Sequence, residues 1–159
     1  MSQLTSERLM ELTILALERT AFVMADPAES TAEDAVAATT HVAKINYAGP
    51  EGGTVVLCAS EGFLREFASS LLGVEPEEVN PENEGADALK ELANIVGGSV
   101  ILELGGDNCP YSLGLPALVE VNEIPVINHP SDQQIACVIE AEFEPLCIIW
   151  QKDAVAQAA

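Results

Sequence analysis

Apolar Leu9, Leu12, Leu15, Ala16, Phe22 and Val23 recur at near-helical spacing among Glu and Arg, with no Gly or Pro inside residues 5–24. The pattern predicts a first helix there. Asp26, Pro27 and the small, acidic stretch to Ala38 break it and read as a connector with room for a short turn of helix. Partial alternation over residues 39–47, the turn residues Pro50-Glu51-Gly52-Gly53 and an apolar run over 54–59 predict a β-hairpin. Ser60-Glu61-Gly62 opens a second helix through Phe63, Phe67, Leu71 and Leu72, which Gly73 ends. Residues 75–84, with Pro76 and Pro81, read as a polar surface connection. A third helix is expected from Ala86 to Leu104, before Gly105-Gly106. Past Pro110 and Pro116, strands are expected over 117–122, 134–143 and 146–151. On the longest, Ile135, Cys137, Ile139, Ala141 and Phe143 share one face, as in a sheet that helices cover on that side.

This order of elements predicts an α+β fold with helices layered on a largely antiparallel sheet, in a single domain over residues 1–159. Glu11-Leu12-Thr13-Ile14-Leu15 is echoed by Glu91-Leu92-Ala93-Asn94-Ile95. The offset is 80 positions, half the chain, which is where two pseudo-repeated halves would place it. With 48% hydrophobic residues the chain has enough aliphatic side chains to build that core.

Charge narrows the partners. There are 26 acidic and 6 basic side chains, for a net charge of −20, and Arg8, Arg19, Lys44, Arg65, Lys90 and Lys152 are each isolated. No basic stripe is available to neutralise phosphates, which excludes nucleic acid and an anionic membrane face. No apolar run is long enough to span a bilayer, and residues 1–8 lack an export signal, so a cytoplasmic location is expected. Cys58, Cys109, Cys137 and Cys147 match neither a disulfide framework nor a zinc pattern and are read as reduced.

The third helix carries the candidate chemistry. Leu89, Leu92, Ala93, Val96 and Val100 form a stripe that must face the core, which leaves Asp87, Glu91, Asn94 and Gly98 together on the other side. An acid and an amide one turn apart can act on one small target. Gly97 and Gly98 each cost a helix about 1 kcal/mol relative to Ala, and a missing side chain one turn beyond Asn94 lets another molecule's backbone come close. The competing reading is that the glycines ease packing on the sheet and that Glu91 and Asn94 are ordinary surface residues. Rival chemistries find less support. His41, on an expected strand, and His129, beside Pro130, have no ligand or triad partners at a recognisable spacing. Gly97-Gly98-Ser99-Val100-Ile101 lacks the last Gly of a nucleophile elbow, and the acidic run over 75–84 lacks the alternating register of a Ca²⁺ loop.

Asp87-x-x-x-Glu91-x-x-Asn94-x-x-x-Gly98 on an amphipathic helix, in this order of elements, resembles the CheC/CheX/FliY family of chemotaxis phosphatases and, within it, the CheX type. Glu77-x-x-Asn80 has the same acid–amide spacing but runs directly into Pro81 in a connector and is set aside. The resemblance implies a phosphatase acting on a phosphorylated CheY-like response regulator. Glu91 would pair with the regulator's lysine, Asn94 would orient the hydrolytic water, and Asp87 and Gly98 would line the contact. It also implies a homodimer joined through sheet edges. No intrinsic cofactor is implied, because Mg²⁺ comes with the regulator. Members of the CheC type carry a second such motif on the first helix. Here Ile14 stands where its amide would be, so one site per chain is expected. A binding module that docks a regulator or sister subunit without turnover, and a dimeric structural subunit, are the alternatives.

Overall fold

Thr5 caps the first helix, α1 (Ser6–Ala21), by accepting a hydrogen bond from the Arg8 N–H, and the chain leaves it through Phe22 in the left-handed conformation. The computed structural model describes residues 4–127 and 133–153. His129 and Pro130 lie outside the described residues.

After α1 come a short strand β1 (Asp26–Pro27), a one-and-a-half-turn helix α2 (Ala32–Ala37) and the hairpin β2 (His41–Ala48) and β3 (Gly53–Ala59). Ser60 then caps α3 (Glu61–Leu72), and Gly73 ends it with φ of 73°. A 3-10 turn and a π turn lead into α4 (Ala86–Gly105). The chain finishes with β4 (Ser112–Leu113), β5 (Ala117–Val119), a 3-10 turn, β6 (Gln134–Ala141) and β7 (Glu144–Lys152).

All strand pairings are antiparallel, in the order β1-β6-β7-β3-β2-β4, with β5 also on β2. The topology is that of two related halves. Each half holds one long hairpin, the last strands of both hairpins pair at the centre, and the short strands after α1 and α4 each cross to the other half's hairpin. Helices α1, α3 and α4 cover one face of the sheet, where Leu9, Leu17, Ile45, Leu57, Phe63, Phe67, Ile139 and Trp150 bury completely or almost so. The opposite face has a smaller apolar cluster around Val42, Val56, Cys58, Cys147 and Ile149, against which Val36 and Ile124 pack.

The structure differs from the sequence expectation at four places. The connector over 26–38 holds the short helix it has room for, α2, but also the strand β1, because Asp26 and Pro27 find partners in Glu140 and Ile139, a long-range pairing that local pattern does not encode. The strand expected over 117–122 stops at Val119 and turns into 3-10 helix, where Glu120 and Glu123 form a reciprocal capping box. Residues 75–84 are not wholly surface, since Val79 and Pro81 are buried. Phe143 does not continue the β6 face. Glu142 and Phe143 take left-handed φ of 51° and 65° in the two-residue turn between β6 and β7, which leaves Phe143 90% exposed.

The lone tryptophan, Trp150, is fully buried and donates its indole N–H to the Tyr47 hydroxyl at 2.9 Å. Tyr47→Phe strands that donor and is expected to cost about 1–3 kcal/mol, measurable by urea unfolding followed through Trp150 fluorescence. Burial pushes the Tyr47 phenol up to about 12. The native state therefore keeps this proton after the unfolded chain has released it near 10, so stability falls as pH rises between those values. The variant should lose that part of the slope.

Candidate functional site: a convex ridge on the central helix

Helix α4 rests on β2 and β3 between α1 and α3. Leu89, Leu92, Ala93, Val96 and Val100 are completely buried, as the apolar stripe requires, and Ala86, Ala88, Gly97 and Ile101 widen the buried face. What is left to solvent is a narrow strip. Its exposed positions are Asp87, Glu91, Asn94 and Leu102, with Gly98 half-buried among them. At about 100° per residue these five lie within a sector of roughly 80°, so they form one line along the helix.

Glu91 and Asn94 are exposed, and neither side chain has a hydrogen bond or ion pair among the described residues. Asp87 lies 3.7 Å from Lys90 in an exposed pair that stabilises by a few tenths of a kcal/mol at most, and it also favours the positive end of the helix dipole. The two glycines differ. A Cβ on Gly97 would sit 3.0 Å from both Ile45 Cγ2 and Leu113 Cδ1, so Gly97 is there for packing on β2. A Cβ on Gly98 would meet nothing within 4 Å. The packing explanation thus holds for Gly97 and fails for Gly98, whose cost to the helix returns nothing inside the protein.

The echo on α1 is chemically different. Glu11 is held by Arg8 at 2.9 Å, Arg8 also reaches Glu103 on α4 at 2.9 Å, and Ile14 packs partly against the core. No amide is presented there.

Elsewhere, His41 is taken up by Glu82 at 2.9 Å and Thr40 at 2.8 Å. Cys58 and Cys147 face each other across β3 and β7, where their mutual hydrogen bond and burial hold the Cys58 thiol protonated; burial pushes Cys137 up to about 12. None of the four cysteines forms a disulfide. An open cleft of about 530 Å³ beside α3 contains Arg65, Glu66, Glu142 and Glu144. Burial, then Glu142, Glu77 and Glu144, raise the Glu66 carboxyl above its ordinary range, while Arg65 already donates to the Val79 carbonyl at 2.8 Å. None of α4 lines that cleft. Among the described residues no group of three or more His, Cys, Asp or Glu is arranged to hold a metal ion, and no helix is long and apolar enough to cross a membrane.

An α+β protein of two related halves, presenting an acid and an amide on a convex helical ridge, is the class that fold and site define together. The sequence profile described as chemotaxis phosphatase CheX matches residues 41–140, well over half of the chain. The chain belongs to the CheX family. Among solved structures it is similar to a CheC-like superfamily protein from Shewanella sp. PV-4, at 20% identity and a TM-score of 0.69, covering 92% of this chain and 95% of that one. Chemotaxis protein CheX from Vibrio vulnificus is 19% identical with a TM-score of 0.68, over 91% and 93% of the two chains. The CheX–CheY–BeF3–Mg²⁺ complex from Borrelia burgdorferi matches at 13% identity and 0.67, over 96% and 100%. At these identities the likeness establishes the fold. Among curated proteins, none matches the chain significantly by sequence.

Proposed function

We propose that this protein dephosphorylates a CheY-like response regulator by placing Glu91 and Asn94 in the regulator's active site. The observation that carries the proposal is the ridge itself: an acid and an amide one turn apart, exposed and unpartnered, beside a glycine whose open space serves no internal packing. Membership of the CheX family and the likeness to a CheX–CheY complex support the choice of substrate.

An aspartyl phosphate is hydrolysed by water attacking in line with the breaking phosphorus–oxygen bond. The chemistry demands positioning and charge stabilisation more than a strong base. The Asn94 carboxamide both accepts and donates hydrogen bonds, so it can hold a water in line without taking its proton. The Glu91 carboxylate, free of internal partners, is available to pair with the regulator's lysine and set the angle of the helix. Mg²⁺ enters with the regulator, and this chain contributes no metal ligand. Asp87 and Gly98 line the contact above and below the pair, and the reading places the protein beside its regulator in the cytoplasm.

The deciding measurement is phosphate release from phosphorylated regulator in Mg²⁺. Release accelerated well above the regulator's own rate is expected; binding without acceleration would make the chain a docking module instead. We also propose a homodimer joined through sheet edges. Strand β1 meets β6 only opposite Ile139 and Glu140, so the outer edge at Ile135, Ala136 and Cys137 has no strand partner among the described residues. Sedimentation equilibrium at micromolar concentration should give twice the chain mass, and a monomer would overturn this part of the proposal.

A further inference from the structure

The exposed line on α4 does not end at the acid and the amide. Leu102 is 59% exposed and is the one large apolar side chain that is more exposed than buried on this helix. It lies four residues beyond Gly98 and within about 20° of the Glu91 azimuth, roughly 12 Å along the axis from Asn94. Along the ridge the character therefore changes from carboxylate to amide, to no side chain, to leucine. On the flank next to Leu102, Glu103 is pinned by Arg8 from α1, so the adjoining charges are satisfied within the protein.

We infer that Leu102 is a binding contact for the phosphorylated regulator, seating in an apolar depression on that protein at the rim of its active site. This rests on the proposed phosphatase reading and extends it to a residue outside the acid–amide pair. A chain of net charge −20 approaching an anionic phosphoryl group gains little from long-range attraction, so affinity beyond the short-range Glu91–lysine pair has to come from apolar burial, which charge does not oppose. Asp87 and Glu91 cannot supply it, and Gly98 has no side chain to bury. Leu102 is the ridge residue that can, and its position fixes the partner. A body that covers Asn94 closely enough to react, and that passes over Gly98, reaches Leu102 with its next surface layer.

The test uses the full chain with the regulator activated by beryllofluoride and Mg²⁺ for binding, and with phosphorylated regulator for turnover. Leu102→Ala retains helix propensity at an exposed position, so it should fold as the parent does. It is expected to raise KM and Kd roughly five- to tenfold with kcat unchanged, and Leu102→Met, which keeps the volume, should restore both. Leu72→Ala, at an exposed leucine on α3, should change neither. An unchanged KM and Kd for Leu102→Ala in a protein that turns over normally would overturn the contact and leave the phosphatase reading standing. Failure of the parent chain to bind or dephosphorylate the regulator would overturn both.

Discussion

Asn94→Ala is expected to reduce phosphate release to within a few-fold of the regulator's unassisted rate, a loss of about 100-fold or more, while the protein unfolds at the same temperature or slightly higher. The two halves of this expectation come from the same fact. Asn94 is exposed and makes no side-chain bond within the protein, so the fold loses nothing with its amide, and Ala is the better helix former by about 0.5 kcal/mol. A residue that the fold does not use, at a position where it is a mediocre helix former, must be accounted for by something outside. A misplaced water is what its removal leaves, and misplacement by about 1 Å suffices for a loss of that size. Glu91→Gln separates the roles. It keeps shape and removes charge, so it should weaken binding of the activated regulator about tenfold with a smaller effect on kcat. The reading is overturned if Asn94→Ala retains full activity, or if its activity falls only in step with its stability.

The ridge was legible in the sequence because helix periodicity is a local property. Leu89, Leu92, Ala93, Val96 and Val100 define the buried side, and the complementary positions 87, 91, 94 and 98 follow by geometry alone. The cores of the long elements were legible for the same reason, with Ser60 opening and Gly73 ending the second helix as expected. Two kinds of information were not local. The pairing of Asp26 and Pro27 with β6 joins residues more than 100 positions apart, and no pattern in a two-residue strand announces it. The left-handed turn at Glu142 and Phe143 lacks the Asn-Gly signal of such turns, because the pairing of β6 with β7 imposes the conformation against side-chain preference. At the site, Leu102 continues the spacing of 87, 91, 94 and 98, but in the sequence it cannot be told from the apolar Ile101 beside it. Only burial distinguishes the two, at 9% exposed for Ile101 against 59% for Leu102.

The adjacent glycines allow the sharpest test of the ridge as an inserting surface, because substitution should push stability and activity in opposite directions at neighbouring positions. Gly98→Leu adds a side chain where the structure has open space, so the helix should gain about 0.8 kcal/mol, roughly 2–3 °C in Tm for a chain of this size. The same side chain stands one turn from Asn94 in the path of the incoming regulator. Phosphate release should fall about 100-fold, with weaker binding of the beryllofluoride-activated regulator. Gly97→Leu drives atoms into Ile45 and Leu113, which already lie 3.0 Å from where its Cβ would be, and should cost about 1–3 kcal/mol. Its remaining folded fraction should keep most of the activity, since position 97 faces the sheet. Thermal unfolding and phosphate release on both variants measure the four quantities. A Gly98→Leu protein that is more stable and fully active would mean that nothing passes over this glycine, and the ridge would then be surface without a partner. Loss of activity at Gly97 in proportion to unfolding, set against loss at Gly98 without any, is the pattern that only insertion of this helix into another protein produces.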